Sequence, residues 1–189
     1  MSIANESVER RQYLSFTMAG GGYGVGILTV KEILQFSEVT RVPSTPRSIR
    51  GVINLRGSVV PVVDLAVKLG MPETVPTART CILVVEASLG GTPAVVGLLV
   101  DSVSEVVDLA PEEVEPPPSF GTNVRMDHLL GMGKVGRRFV LLLDIDRIVS
   151  AEEIELTTAL SDAAAPGDAQ PAPAATGTRG QVPAEPTQP

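Results

Sequence analysis

The sequence predicts a mainly β fold built from two copies of one small unit. Three observations carry this. The apolar positions are dominated by Val, Ile and Leu with no tryptophan, a composition that favours strands and an aliphatic core. Paired apolar runs are joined by glycine-containing turns, as hairpins require. Two spacings also recur. Tyr23-Gly24 … Glu32 matches Val96-Gly97 … Glu105, and Gly51 … Asp64 matches Gly131 … Asp144. A unit of about five short strands is most economical as a small closed barrel, because closure removes the sheet edges. The expectation is therefore two five-stranded β-barrel subdomains with short helices and a C-terminal helix.

Taken in order, residues 1–11 are polar and read as a flexible start. Tyr13–Met18 alternates like a strand and returns through Ala19–Gly22 into Tyr23–Ile27. A turn or single helical turn is expected at Leu28–Val30. Glu32–Phe36 is apolar but short, and strand and helix stay open there. Pro43 and Pro46 hold the next segment extended, and Arg47–Arg50 reads as a brief helical turn. Val52–Leu55 and Val59–Leu65 flank Arg56-Gly57-Ser58 as a hairpin with Arg56 at its tip. Pro61 suggests an edge strand or a bulge, since proline gives no donor to a ladder. Leu65–Leu69 is a short helix closed by Gly70. After a loop at Met71–Thr80, Thr80–Ala87 and Ala94–Val100 form a hairpin around Gly90-Gly91. Ser102–Asp108 is mixed, Glu115–Pro118 extended. Leu129–Gly133 and Arg138–Asp144 form a further hairpin. Ser150-Ala-Glu-Glu is a capping box that starts a helix at about 151–160. The Ala/Pro-rich stretch 161–189 has too few large apolar residues to offset its ordering entropy and reads as disordered.

Composition narrows the function. A formal net charge of −7 argues against nucleic acid or an anionic membrane as the main partner. A single cysteine, Cys81, excludes an internal disulfide. The N-terminus lacks the apolar core of a secretory signal, and no apolar run is long enough to span a bilayer. These features read as a cytoplasmic protein.

Candidate chemistry is sparse. Asp64, Asp101 and Asp144 each follow an apolar run. They are either helix caps, the favoured reading, or the carboxylates of a small metal-dependent hydrolase. Ser102-x-x-Glu105 beside Asp101 supports capping. Gly131-Met-Gly133-Lys-Val-Gly136 has the form of a dinucleotide fingerprint, but a strand follows it where a helix is needed, so these are turn glycines. His128 and Cys81 could form a dyad on paper. Cys81 lies in a core-like strand, though, and no metal-ligand spacing is present, so no metal and no cofactor is assigned. Charge is segregated. Lys31, Arg41, Arg47, Arg50 and Arg56 cluster in sequence, and Asp101, Glu105, Asp108, Glu112, Glu113 and Glu115 form an acidic block. Each is either a solvated face or a docking surface.

Val30-Lys-Glu-Ile33 and Gly51-Val-Ile-Asn-Leu-Arg-Gly-Ser-Val-Val-Pro-Val-Val-Asp-Leu65 resemble the CheW family of chemotaxis coupling proteins. The resemblance extends from Gln12 to about Leu160, through Tyr23-Gly-Val, Val96-Gly-Leu-Leu-Val-Asp-Ser-Val and Leu130-Gly-Met-Gly. It departs from the family at Gly26 and Gly20-Gly-Gly22, where acidic residues are frequent. The resemblance implies two intertwined SH3-like barrels over 12–160 and a non-enzymatic adaptor. The implied partners are the cytoplasmic tip of chemoreceptors, the regulatory domain of the histidine kinase CheA and other CheW-like domains of a signalling array. Flagellar and non-flagellar chemosensory pathways both fit. Carried onto this sequence, the partner-binding residues are Arg56 and Glu32, expected to pair, with Asn54 and Gly57 of the same turn. Val30 and Ile33 are expected either to line a groove for the receptor helix tip or to be barrel core.

Overall fold

The computed structural model of the chain describes residues 9–117 and 125–164. Its strands are β1 (Arg11–Met18), β2 (Gly21–Gly26), β3 (Val30–Gln35), β4 (Ile49–Leu55), β5 (Ser58–Asp64), β6 (Cys81–Leu89), β7 (Thr92–Val100), β8 (Ser102–Leu109), β9 (Val114–Glu115), β10 (Leu129–Val135) and β11 (Arg138–Leu143). Its α-helices are α1 (Leu65–Lys68), α2 (Ile145–Ile148) and α3 (Ala151–Ala164). The fold is mainly β, as expected.

The strands form two sheets, ordered β8-β1-β2-β11-β10-β9 and β3-β6-β7-β5-β4. The repeat seen in the sequence is a repeat of structure. Gly51 sits opposite Val62 just after a register shift, and Gly131 sits opposite Leu142 just after the same kind of shift. Gly24 then pairs in parallel with Leu142, and Gly97 with Val62. The two halves are also interlaced. β3 of the first half pairs with β6 of the second, and β8 of the second pairs with β1 of the first. Neither sheet belongs to one half of the chain.

The glycines of the repeat have a steric cause. Gly51 has φ 143°, and a Cβ there would lie 2.1 Å from the Thr40 carbonyl oxygen. A Cβ on Gly131 would lie 2.9 Å from the Glu115 carbonyl oxygen. At both hairpins another segment passes close over the bulge. Thr40 bridges Val52 on one side, and β9 pairs with β10 on the other.

The main core joins both sheets through Leu14, Phe16, Tyr23, Val63, Leu83, Leu98, Leu143 and Ile148. Each sheet also has an inner cluster, Tyr13, Val107, Leu109, Val140 and Leu142 in the first and Val62, Ile82, Val84 and Leu99 in the second.

Several local expectations need correction. Pro61 is buried and β5 is an interior strand. Proline is tolerated because the parallel ladder to β7 begins only at Val62, so no ladder donor is lost. Strand β4 already begins at Ile49, where a helical turn was expected. The segment after Asp101 is strand β8, not a capped helix. Ser15 Oγ accepts from Glu105 N and donates to Glu105 O, holding that strand's irregular register. The open segment before Phe36 is strand β3. The helix expected at 151–160 runs to Ala164, so its last turn takes in residues assigned to the tail. The rest of that tail lies outside the described residues.

Candidate functional site

The β4–β5 hairpin closes through two residues with positive φ, Arg56 at 52° and Gly57 at 88°. This is the mirror-image turn whose twist matches that of paired strands. Glycine takes such a conformation freely, whereas arginine does so at a cost, and residues held this way concentrate at functional sites. Asn54 supports the turn by accepting from Gly57 N–H through Oδ1 at 2.8 Å. Asn54 and Gly57 are thus brought together by local geometry.

The expected pair of Arg56 and Glu32 is present. The guanidinium donates to Glu32 Oε2 at 3.1 Å and Oε1 at 3.3 Å. Glu32 is on β3 and Arg56 caps the β4–β5 turn, so the pair ties one edge of the five-stranded sheet to the hairpin at the other. Leu34, Ile53 and Leu55 pack beneath it on the inner cluster. The Arg56 side chain is still 81% exposed, which leaves guanidinium donors free to meet a partner.

Val30 and Ile33 separate. Val30 packs against the main core, while Ile33 is 46% exposed on the outer face of β3. Neither lines the groove next to Arg56. That groove, roughly 470 Å³, runs between the hairpin, β7 and α3, with Leu55, Val59, Pro61, Val95, Ile154 and Thr158 along it. Sequence reasoning missed Val59 and Val95, because a valine on an alternating strand carries no sign of whether its face is covered.

The three aspartates do not converge. Asp64 is fully buried and accepts from Ala66 N, Val67 N, Thr74 N and Thr74 Oγ1, with Arg50 at 3.7 Å. Asp101 accepts from Ala19 N in the first hairpin turn, where helix capping was expected. Asp144 stands at the start of α2 without a side-chain cap bond and pairs with Arg147 at 3.1 Å. Among the described residues no group of three or more His, Cys, Asp or Glu could hold a metal ion. The hydrolase reading has no site in this arrangement.

The remaining candidates resolve as structure. The Gly131–Gly136 run is strand β10 and its turn. Cys81 begins β6, its thiol donating to Arg79 O at 3.3 Å. His128 is buried, and its Nδ1 has no hydrogen-bond partner among the described residues. Burial, helped by Arg125 and Lys68, holds its pKa below the ordinary histidine value against the pull of Asp127 and Asp144. The basic cluster is largely paired, Lys31 with Glu86 and Arg50 with Glu73, and the acidic block meets Arg10 at Glu113.

With this geometry in place, comparison with known proteins is decisive. The family model described as CheW-like domain matches residues 12–153. The chain belongs to the CheW-like family. It is 38% identical to chemotaxis protein CheW of Klebsiella aerogenes, over 82% of this chain and 90% of that protein. It is 34% identical to the probable chemotaxis protein CheW of Rhizobium etli, over 82% of this chain and 99% of that one. Among solved structures, the scaffolding protein TtCheW from Thermoanaerobacter tengcongensis superposes with a TM-score of 0.66 at 29% identity. That match covers 74% of this chain and 92% of TtCheW. The two curled sheets of this CheW-like chain are accordingly the SH3-like subdomains implied by the resemblance.

Proposed function

We propose that this CheW-like chain is a chemotaxis adaptor with no catalytic role. It couples the cytoplasmic tip of chemoreceptors to the regulatory domain of the histidine kinase CheA and supports the arrays they build with other CheW-like domains. The observation that carries this reading is the family match across residues 12–153. Relatives named chemotaxis protein CheW and a neighbour titled a scaffolding protein agree with it. The protein works in the cytoplasm, held near the membrane by its partners; no described helix is long and apolar enough to cross a bilayer.

In this reading Arg56, Glu32, Asn54 and Gly57 form the receptor-facing contact, with Ile33 exposed on the strand that carries Glu32 and Val30 packed on the core beneath it. An exposed arginine fixed by a carboxylate on a rigid turn loses little entropy when it engages a partner. The test is a titration of the full chain with a purified receptor signalling tip and, separately, the CheA regulatory domain. Both should bind at about tens of micromolar or tighter. Arg56→Ala should weaken the tip by about tenfold and leave the kinase domain unaffected. If the wild-type chain retains neither partner, the adaptor reading fails.

A further inference from the structure

The duplicated halves are not finished alike. In the first half α3 packs along β5 and β4, over a face that buries Pro61 and leaves Val59 41% exposed. Glu153 of α3 accepts from Ser48 Oγ at the start of that track, and Ile154 and Thr158 line its far end. The repeat gives each of these positions a counterpart. Val59 corresponds to Phe139, Pro61 to Leu141, Val52 to Met132 and Asn54 to Lys134. Ser48 corresponds to His128, since Asp64 N donates to Ser48 O and Asp144 N donates to His128 O.

Among the described residues the second face has no helix of its own. The chain after α1, which corresponds to α3, forms the loop at residues 71–80 and folds back on its own half. There Thr74 bonds Asp64, Glu73 pairs with Arg50, and Val75 is left 80% exposed. Phe139 is 50% exposed, against 41% for Val59, and Met132 and Leu141 are only partly buried where Val52 and Pro61 are buried. At one end of the track lies His128 with its unpartnered Nδ1, where Ser48 holds Glu153 in the other half. At the other end Lys134, Arg137 and Arg138 are exposed, and none makes an ion pair among the described residues.

We propose that the β10–β11 face centred on Phe139 is a second docking surface, which takes an acidic amphipathic helix of another protein in the position α3 holds on the sister face. The helical shape follows from the sister face. The acidic character follows from Lys134, Arg137 and Arg138, which make no ion pair among the described residues. This surface is separate from the Arg56 turn, so it stands or falls independently of the receptor contact.

The probe is a capped synthetic peptide of residues 150–164, the helix already known to fit the sister face, titrated into the isotope-labelled full chain and followed by NMR. Saturable shifts at Met132, Lys134, Phe139 and Leu141 are expected below about 1 mM peptide. Phe139→Asp should abolish them while the rest of the spectrum stays in place. The double change Lys134→Glu with Arg138→Glu should weaken binding by at least about threefold. Three results would each overturn the proposal: no saturation, shifts confined to β4 and β5, or shifts that survive Phe139→Asp.

Discussion

At position 51 there is no space for a side chain. Gly51 combines positive φ with a carbonyl 2.1 Å from any Cβ, so Gly51→Ala should destabilise by more than about 2 kcal/mol, read as a lowered denaturant midpoint. Asp64 poses the opposite problem, a buried carboxylate made acceptable by four hydrogen bonds and a nearby arginine. Asp64→Ala would strand Thr74 and the first turn of α1, at about 3 kcal/mol, measurable by chemical denaturation. Arg56 differs from both. Its ion pair is largely solvated, so Arg56→Ala should change stability by less than about 0.5 kcal/mol and, on the proposed receptor contact, weaken binding of the tip by about tenfold. Equal losses of stability and coupling would make Arg56 a barrel closure and nothing more. The Asn-Leu-Arg-Gly turn was legible in the sequence because glycine and asparagine announce turn chemistry. The fate of Val30 and Ile33 was not, because alternation shows that two faces exist without saying what covers either.

The helix α3 is fastened at its first turn. Burial acts to raise the Glu153 pKa, but hydrogen bonds from Lys68, Ser48 and Ser150 outweigh it and hold the group below its ordinary value. A depressed carboxylate contributes stability above its unfolded pKa of 4.5 and loses it as pH falls through the lower folded value. His128 acts in a higher window. Its folded pKa lies below 6.5, so on acidification the unfolded chain takes up a proton that the folded chain refuses. Stability should decline as pH drops below 6.5 and level off once the folded value is passed. Thermal melts across this range should show both steps. His128→Gln should flatten the upper one and Glu153→Gln the lower one. The Ser150 capping box was readable from its residue types, and Glu153 N does bond Ser150 Oγ. Its further role in clamping Lys68 and Ser48 was not, since those partners are 85 and 105 residues away.

At the scale of the whole molecule, four ladders join the halves: β1–β8, β2–β11, β3–β6 and β5–β7. Without them the first half retains only the β1–β2 and β4–β5 hairpins, and isolated hairpins are marginal in water. Fragments cut after Val75, in an exposed loop, should each lack cooperative unfolding by circular dichroism. Mixed, they should recover the two-sheet spectrum and a single transition. Independent folding of either fragment would contradict the interlacing. The repeat itself was visible in two spacings, and it correctly suggested a duplicated β unit. Which strand pairs with which was not visible, because exchange of β3 and β8 changes no local pattern; it alters only which half supplies the neighbour.

That exchange also bears on symmetry. A single unit of this kind, standing alone, would be two loose hairpins and a spare strand, so it could complete its sheets only by exchanging strands with a second copy. In such a pair every substitution appears twice, related by the symmetry axis. Two units joined in one chain are free of that constraint. One turn can then carry Arg56 while its twin carries Gly136, and among the described residues a helix packs on one of the two faces and none on the other.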